Sequence, residues 1–224
     1  MTPEQLTGQV TSHLVDTVVG QKAFLLHPSV SQDLLMLKQA AAEAGFTLNI
    51  ASGFRDFERQ TTIWNNKMAG RSVILDSHSQ ALASDFLSDE QKVEAILRWS
   101  ALPGASRHHW GTDFDIFARN RLPEGDTLQL EPWEYLTGHQ HEFYLWLQTH
   151  LCDFGFFFPY AQDLGGVAPE PWHISHKQVS QGCLEQLTLP VLQQALQRSP
   201  ILGQQVVLAK LETIYNQFIN NICQ

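Results

Sequence analysis

Two short segments hold the most reactive side chains of this chain, and they stand far apart in the sequence. The first runs from Ser106 to Asp115 and contains His108, and the second is Glu170-Pro171-Trp172-His173. Together they offer two imidazoles and a carboxylate, which are ligands that a catalytic zinc site uses, and a further carboxylate that can act as a base. A fold that uses these groups must bring the two segments together.

The spacing within the first segment sets a condition on the backbone. His108 and Asp115 are seven residues apart, so on one regular strand their side chains would point to opposite faces. Gly111 lies between them and permits a turn or bulge that brings both side chains to one point. In the second segment Pro171 argues against the middle of a helix, so we expect an extended or irregular stretch there.

Other patterns of reactive residues are weaker. His139 and His141, followed by Glu142, also resemble metal ligands, but we expect them to decorate the start of a helix. The zinc motif H-E-x-x-H is absent, because position 145 is Leu145. The sequence contains neither G-x-S-x-G nor the phosphate-binding G-x-x-x-x-G-K-S/T, so serine-hydrolase and nucleotide-hydrolysing functions lack support.

The composition is that of a packed protein, with 43% hydrophobic and 17% charged residues in a chain of 224. Disordered chains and coiled coils have a different balance. A net charge of −9, without a run of lysine or arginine, argues against a nucleic-acid partner. We expect one domain over residues 1–224, with a core of its own.

The cysteines and the amino-terminal stretch bear on the compartment. Cys152, Cys183 and Cys223 are far apart and odd in number, as expected for thiols in a reducing compartment. Residues 1–20 lack a signal-peptide pattern, and no apolar run reaches the ~18 residues of a membrane span. We therefore expect a cytoplasmic protein, although a chain trimmed of its leader would look the same and would be periplasmic.

Periodicity and turn residues predict the main elements. Helices are predicted over Pro28 to Ala44, from Asp56 to Met68, from Ser88 to Trp99 and over Glu142 to Cys152. Strands are predicted over Phe46 to Ala51, Phe114 to Phe117 and Phe154 to Phe158. Arg55 then lies at a strand end just before a helix amino terminus, where it can face an anion; an ordinary surface ion pair is the alternative.

The tail from Pro190 is predicted to be helical in two pieces that are split near residues 200–203. In the second piece apolar residues recur at three- and four-residue spacing: Val207, Leu211, Ile214, Phe218 and Ile222. This stripe is expected to pack on the domain, with a dimer seam as the alternative, and the sequence leaves the oligomeric state open.

Three separated motifs resemble the signature of the VanY-type D-alanyl-D-alanine carboxypeptidases. They are Ser52-Gly53-Phe54-Arg55 with Gln60, then Ser106-x-His108-x-x-Gly111 with Asp115, and finally Glu170-x-x-His173. That group of zinc peptidases also includes D-Ala-D-Ala dipeptidases and some phage endolysins. The similarity covers roughly residues 30–180, which leaves a helical extension over about residues 188–224.

The resemblance implies a role for each matching residue. It makes His108, Asp115 and His173 the ligands of Zn²⁺ and Glu170 the catalytic base. It places Arg55 on the substrate or the transition state, with substrate-binding roles for two pocket residues, Gln60 and Ser106. It also implies an α+β fold, shared with hedgehog-like zinc peptidases, in which a small central antiparallel sheet carries the metal and helices pack around it.

The implied activity is a zinc carboxypeptidase that removes terminal D-alanine from peptidoglycan stem peptides, at D,D or L,D bonds. Its partner would be a peptidoglycan-derived peptide. A cytoplasmic location would favour recycled muropeptides and L,D bonds. An endopeptidase of the same group, a non-catalytic peptidoglycan- or metal-binding module and a plain scaffold with incidental histidines are the alternatives.

The chain also departs from the family pattern. Asp113 stands where the family commonly has a small residue, and on a strand it would share a face with Asp115. It either holds a ligand or Arg55, or it is solvated. The choice of His108 over His109 follows the family register. His176 is a weaker candidate to support the metal site, and Trp110 and Trp172 are expected either in the core or as pocket walls.

Overall fold

The computed structural model describes residues 1–223, and a small antiparallel sheet lies at its centre. In chain order the helices and strands are α1 (Pro3–Leu6), β1 (Val15–Val19), β2 (Lys22–Leu26), α2 (Pro28–Glu43), β3 (Leu48–Ser52), α3 (Phe57–Met68), β4 (Ile74–Leu75), β5 (Ala81–Leu82), α4 (Asp89–Trp99), β6 (Asp113–Ala118), α5 (Pro132–Leu136), α6 (His141–His150), β7 (Phe156–Phe157), β8 (His173–His176), α7 (Lys177–Gln186), α8 (Leu189–Arg198), α9 (Gln204–Ala209) and α10 (Leu211–Ile214). Short 3-10 helices cover Ser84–Phe86, Arg107–Trp110, Arg119–Arg121 and Leu151–Phe154, and a π-helical turn covers Tyr215–Ile219.

The central sheet has four strands in the order β3-β6-β8-β7, and all its neighbours are antiparallel. Strand β6 lies inside the sheet, with Leu48 opposite Ala118 on one side and His173 opposite Asp115 on the other. Side chains alternate along a strand, so Asp113 and Asp115 share one face of β6 while Phe114 points to the other. The α+β fold with a small antiparallel sheet and packed helices is confirmed.

Two apolar clusters hold the helices in place. One packs α2 and α6 against the sheet and includes Leu34, Leu37, Phe114 and Phe143. The other joins α3, α4 and the carboxy-terminal helices, and Trp64, Val93, Ile96, Trp110, Leu192 and Leu196 belong to it. The segments that carry the reactive residues are thus fixed to packed elements. No helix among residues 1–223 is both long enough and apolar enough to cross a membrane.

The predicted helix starts are present. Asp56 caps α3 and accepts a hydrogen bond from the Arg59 amide at 2.7 Å. Ser88 caps α4 in a reciprocal pair with Gln91. Helix α2 runs as predicted and is followed by Gly45, whose φ is +86°.

The aromatic strand is shorter than predicted. The prediction covered Phe154 to Phe158, whereas β7 contains only Phe156 and Phe157. A 3-10 helix takes up Phe154, and Gly155 with φ +74° turns the chain before the strand can begin. The helix before it is predicted over Glu142 to Cys152, whereas α6 begins at His141 and ends at His150, because the 3-10 helix begins at Leu151.

The tail is broken more often than predicted. Helices α8, α9 and α10 and the π-helical turn replace the two predicted pieces, and α9 stops at Lys210, which has φ −109° and ψ 12°. Val207, Leu211 and Ile214 are buried in the core, so this part of the stripe packs on the domain. Ile222 lies after the last helical turn, so its predicted helical position is wrong.

A hairpin that sequence reasoning missed supports the turn at Gly111. Strands β1 and β2 pair through a turn at Gly20, and the His27 amide that follows them donates to the Gly111 carbonyl at 2.9 Å. Gly111 has φ +67° and ends the 3-10 helix before β6 begins, as the spacing required. A Cβ at this position would lie 2.5 Å from Leu14 Cδ2 and 2.8 Å from the His27 nitrogen.

We expect Gly111→Ala to lower the free energy of unfolding by about 2–4 kcal/mol. The new methyl group would clash with neighbouring atoms, and the alanine would have to keep a left-handed φ. Gly125→Ala is the matched control, since Gly125 has φ +85° and a methyl group added there would have no neighbouring heavy atom within 4 Å. It should cost only about 1–2 kcal/mol. Urea unfolding of both variants measures the difference, and equal losses would contradict the close-contact argument.

Candidate active site

Three ligand-type side chains converge on one face of the sheet, beside β6 and β8. His108 comes from the 3-10 helix, Asp115 from β6 and His173 from the first position of β8. One ligand atom from each lies within 4.8 Å of the others. All three side chains are buried, so they form a preformed cluster.

The distances within this cluster fit a zinc ion. His108 Nε2 lies 3.5 Å from Asp115 Oδ2, and His173 Nδ1 lies 3.3 Å from Asp115 Oδ1. Ligands at about 2.0–2.1 Å from a tetrahedral zinc ion are separated by roughly 3.4 Å. Asp115 Oδ1 is buried and has no hydrogen-bond partner within residues 1–223. A cation would satisfy this oxygen.

Hydrogen bonds on the far side of each ring orient the two histidines. His108 Nδ1 donates to the Gly53 carbonyl at 2.9 Å, which leaves the Nε2 lone pair facing the cluster. Burial lowers the pKa of His108 to about 3, so the ring is neutral and able to bind metal. His173 Nε2 lies 3.0 Å from Asp113 Oδ1, and its Nδ1 faces the cluster.

Asp113 supports this arrangement from within the core. Its side chain is fully buried and accepts hydrogen bonds from Arg107 Nε at 2.7 Å and from Thr112 Oγ1 at 2.5 Å. Burial alone would raise the pKa of Asp113, but Arg107 and His173 hold it well below its usual range. The sequence left open whether Asp113 holds a ligand or Arg55, or is solvated. The structure shows that Asp113 contacts the ligand-type His173 and is not solvated.

Glu170 lies beside the cluster. Its Oε2 is 3.3 Å from His173 Nδ1, and its amide donates to the Tyr160 carbonyl at 2.9 Å. Burial raises the pKa of Glu170, and the hydrogen bond with His173 partly opposes this change. Burial by itself would lower the pKa of His173, but Asp113, Asp115 and Glu170 together raise it well above its ordinary value.

Arg55 lines the same cleft and is held by two side-chain hydrogen bonds. Its Nη1 donates to Gln60 Oε1 at 2.8 Å and its Nη2 to Ser52 Oγ at 3.1 Å. Gln60 Nε2 in turn donates to the Ala101 carbonyl at 2.7 Å. Gln60 is fully buried and is not part of the cleft lining, which differs from its predicted position in the pocket. It contacts Arg55 instead. Ser106 is buried in the cleft wall.

The cluster opens into a cleft of about 280 Å³. Its lining comprises Arg55, Lys67, Leu75, Trp99, Ser100, Ala101, Ser106, Arg107, His108, Asp115, Leu130, Glu131, Tyr160, Val167, Glu170, Trp172 and His173. A cavity of about 340 Å³ beside α7 contains none of the predicted site residues. The smaller cleft is therefore the candidate active site.

The remaining sequence candidates lie outside the cluster. His109 points away from it, with Nδ1 donating to the Arg55 carbonyl at 2.6 Å. His176 pairs with Asp33 at 2.9 Å, and His139 lies 3.1 Å from Glu134 Oε1. Trp110 is buried in the core, and Trp172 is buried in an apolar cluster with Tyr135 and Tyr144 and also lines the cleft.

Sequence reasoning missed several residues of the cleft, namely Lys67, Arg107, Glu131 and Tyr160. A signal for Lys67 was present, because it follows Gln60 by seven residues and so shares a face of α3 with it. Tyr160 and Glu131 come from irregular segments, where no periodicity marks them. Burial raises the pKa of Tyr160 to about 12, so its phenol remains a hydrogen-bond donor at neutral pH.

Comparison with known proteins agrees with this geometry. The family model of the VanY D-alanyl-D-alanine carboxypeptidases matches residues 23–179, which is more than half of the chain. A D-alanyl-D-alanine carboxypeptidase of Enterococcus faecalis is 31% identical over 147 residues. That match takes in 64% of this chain and 45% of the Enterococcus protein, so it spans less than half of that relative.

Solved structures show the same fold. VanYB in complex with D-alanine-D-alanine has 25% sequence identity and a TM-score of 0.52, over 83% of this chain and 88% of that one. A variant of a vancomycin-resistance D,D-pentapeptidase VanY in complex with Zn(II) has 26% identity and a TM-score of 0.52, over 78% and 83% of the two chains. With the family match and the converged motifs, these similarities show that the chain belongs to the VanY family of D-alanyl-D-alanine carboxypeptidases.

Proposed function

We propose that this protein is a zinc-dependent carboxypeptidase that releases a terminal D-alanine from peptidoglycan stem peptides. The observation that carries the proposal is the convergence of His108, Asp115 and His173 beside Glu170 and Arg55 in one cleft. Relatives bound to D-alanine-D-alanine and to Zn(II) support both the substrate class and the metal.

The ligand set and its supports match a catalytic zinc site. His108 Nε2, an Asp115 oxygen and His173 Nδ1 would hold the ion, and Asp113 keeps His173 Nδ1 turned toward it. When bound, zinc acidifies water and polarises the carbonyl of the scissile peptide bond.

Glu170 is the proposed general base. Its carboxylate takes the proton from the attacking water and passes it to the amine of the departing D-alanine. Burial raises the pKa of Glu170 toward the range in which a carboxylate can both accept and return a proton. The 3.3 Å contact with His173 fixes Glu170 at the edge of the ligand cluster.

Arg55 is the proposed oxyanion-stabilising group. Its guanidinium is held by Gln60 and Ser52, so its position is set before a substrate arrives. A prearranged positive charge lowers the energy of negative charge that develops on the carbonyl oxygen. The cleft, at about 280 Å³, is near the small end of the ~300–1,000 Å³ range of ligand pockets, which suits a terminus of small residues.

We also propose which bond is cut. We propose a cytoplasmic location, where cleavage of pentapeptide precursors would interfere with cell-wall synthesis. Recycled muropeptides and L,D bonds are therefore the favoured substrates. An endopeptidase would release a longer fragment, and a binding module would release nothing. Glu170 beside the ligand cluster favours an enzyme over a binding module.

The proposed activity is tested by digesting tetrapeptide and pentapeptide muropeptides and reading the products by mass. We expect the zinc-loaded protein to remove one alanine residue, chelation to abolish the reaction, and added zinc to restore it, because zinc acidifies the attacking water. Loss of alanine from the tetrapeptide indicates L,D cleavage, and exclusive pentapeptide cleavage would contradict the recycling role. Turnover that survives complete removal of metal would overturn the zinc mechanism.

Replacing the base should separate chemistry from metal binding. We expect Glu170→Gln to lower kcat by roughly 10²–10⁴-fold, because the amide cannot accept the proton from water. Zinc content, measured on the same sample, should not change. Glu58→Gln, on the exposed side of α3, is the control and should keep the wild-type rate. A Glu170→Gln protein with full zinc occupancy and an unchanged rate would refute the assigned base.

Asp113 should control metal affinity through His173. We expect Asp113→Asn to weaken zinc binding by roughly 10–100-fold in a chelator competition, because His173 loses the carboxylate that orients it. Asp33→Asn is the matched control, since Asp33 makes a 2.9 Å contact with His176 outside the ligand cluster. Equal zinc affinities of the Asp113 and Asp33 variants would show that Asp113 does not position His173.

A further inference from the structure

Lys67 is a cation of the cleft that forms no salt bridge within residues 1–223. Its Nζ donates to Ser100 Oγ at 2.7 Å, and no carboxylate oxygen lies within 4.0 Å of it in residues 1–223. An ammonium group has three donors, so two of them remain for a ligand. The side chain is half-buried, and burial lowers the pKa of Lys67, with the charge of Glu170 opposing this change. An anion in the cleft would gain from this unpaired charge.

The other two cations of the cleft lining, Arg107 and Arg55, already have side-chain partners, although Nη1 of Arg107 is buried without a hydrogen-bond partner in residues 1–223. Arg107 is paired with Asp113 at 2.7 Å, deep in the core. Both terminal nitrogens of Arg55 donate to Ser52 and Gln60, and the Arg55 amide donates to the carbonyl of the ligand-type His108 at 3.2 Å. Arg55 therefore lies on the side of the ligand cluster.

Lys67 has different neighbours. It lies near the carboxy-terminal end of α3, and its Ser100 partner directly follows α4. Trp99, Ser100 and Ala101 form the adjacent part of the cleft lining. Of the three cations in the cleft lining, Arg107 is paired with Asp113, Arg55 lies at the ligand cluster and Lys67 lies at the end of α4.

We infer that Lys67 binds the terminal carboxylate of the peptide substrate, which leaves Arg55 for the carbonyl oxygen of the scissile bond. This inference rests on the proposed function, because an enzyme that removes the last residue must recognise the chain end. A substrate without the terminal charge leaves a half-buried ammonium unpaired, and such a mismatch is a strong source of discrimination. Lys67 is then a specificity-determining residue.

The test compares two peptides that differ only in that charge, acetyl-L-alanyl-D-alanyl-D-alanine and its carboxamide. Their affinities for the zinc-loaded full chain are measured by calorimetry. We expect the wild type to bind the free acid roughly 10–100-fold more tightly than the amide. In Lys67→Met the ratio should fall to about one, through loss of affinity for the acid alone. Lys92→Met is the control: Lys92 is half-buried, donates to the Met68 carbonyl at 3.3 Å and lies outside the cleft lining, so the ratio should stay at its wild-type value.

Lys67→Gln provides the same test if Lys67→Met does not fold, because glutamine keeps a hydrogen bond to Ser100 without the charge. An unchanged ratio in the folded Lys67 variant would overturn the inference. Equal losses for acid and amide would also overturn it, since they would show a purely structural role. A wild type that binds both peptides equally, or neither, would overturn it as well.

Release of D-alanine from tetrapeptide and pentapeptide muropeptides by the same protein preparations reports separately on the proposed function. Charge discrimination that depends on Lys67, without any turnover, would leave the carboxylate subsite in place and refute the carboxypeptidase activity. Turnover by the wild type with charge discrimination that does not depend on Lys67 would support the carboxypeptidase activity and refute the carboxylate subsite at Lys67.

Discussion

The pairing of β6 with β8 is the constraint on which the site depends. It sets Asp115 directly opposite His173, although they are distant in the sequence. Opposed residues in an antiparallel pair lie only about 4.5–5.5 Å apart at Cβ, so backbone hydrogen bonds alone bring two ligand-type side chains within reach of one ion. His108 joins them because Gly111 reverses the chain just before β6 begins.

The charges around this pairing must be balanced, because they are buried. Asp113, Asp115 and Glu170 lie close together, and an isolated buried carboxylate is costly. Arg107 compensates Asp113 through a direct contact, while Asp115 retains one oxygen without a partner in residues 1–223. The protein thus neutralises the supporting carboxylate with its own arginine and leaves the ligand-type carboxylate free. This division lets one face of β6 carry two aspartates with different tasks.

Much of the site could be predicted from the sequence, since its residues fall in motifs with fixed spacing. The need for a turn at Gly111 followed from alternation along a strand, and Asp56 and Ser88 marked their helices by capping chemistry. Tyr160 and the β1–β2 hairpin escaped because their importance depends on tertiary contacts, whereas Lys67 was overlooked although its spacing from Gln60 places both on one face of α3. Ile222 was misplaced because helical periodicity does not show where packing ends a helix.

The neighbouring histidines His108 and His109 link the ligand cluster to the segment that carries Arg55. His108 turns toward the ligand cluster, while His109 turns the other way and binds the Arg55 carbonyl, and the Arg55 amide donates to the His108 carbonyl at 3.2 Å. The His108-His109 dipeptide therefore forms hydrogen bonds with both the backbone amide and the backbone carbonyl of Arg55. The placement of the ligand-type His108 and the placement of Arg55 are therefore joined through directly hydrogen-bonded backbone segments.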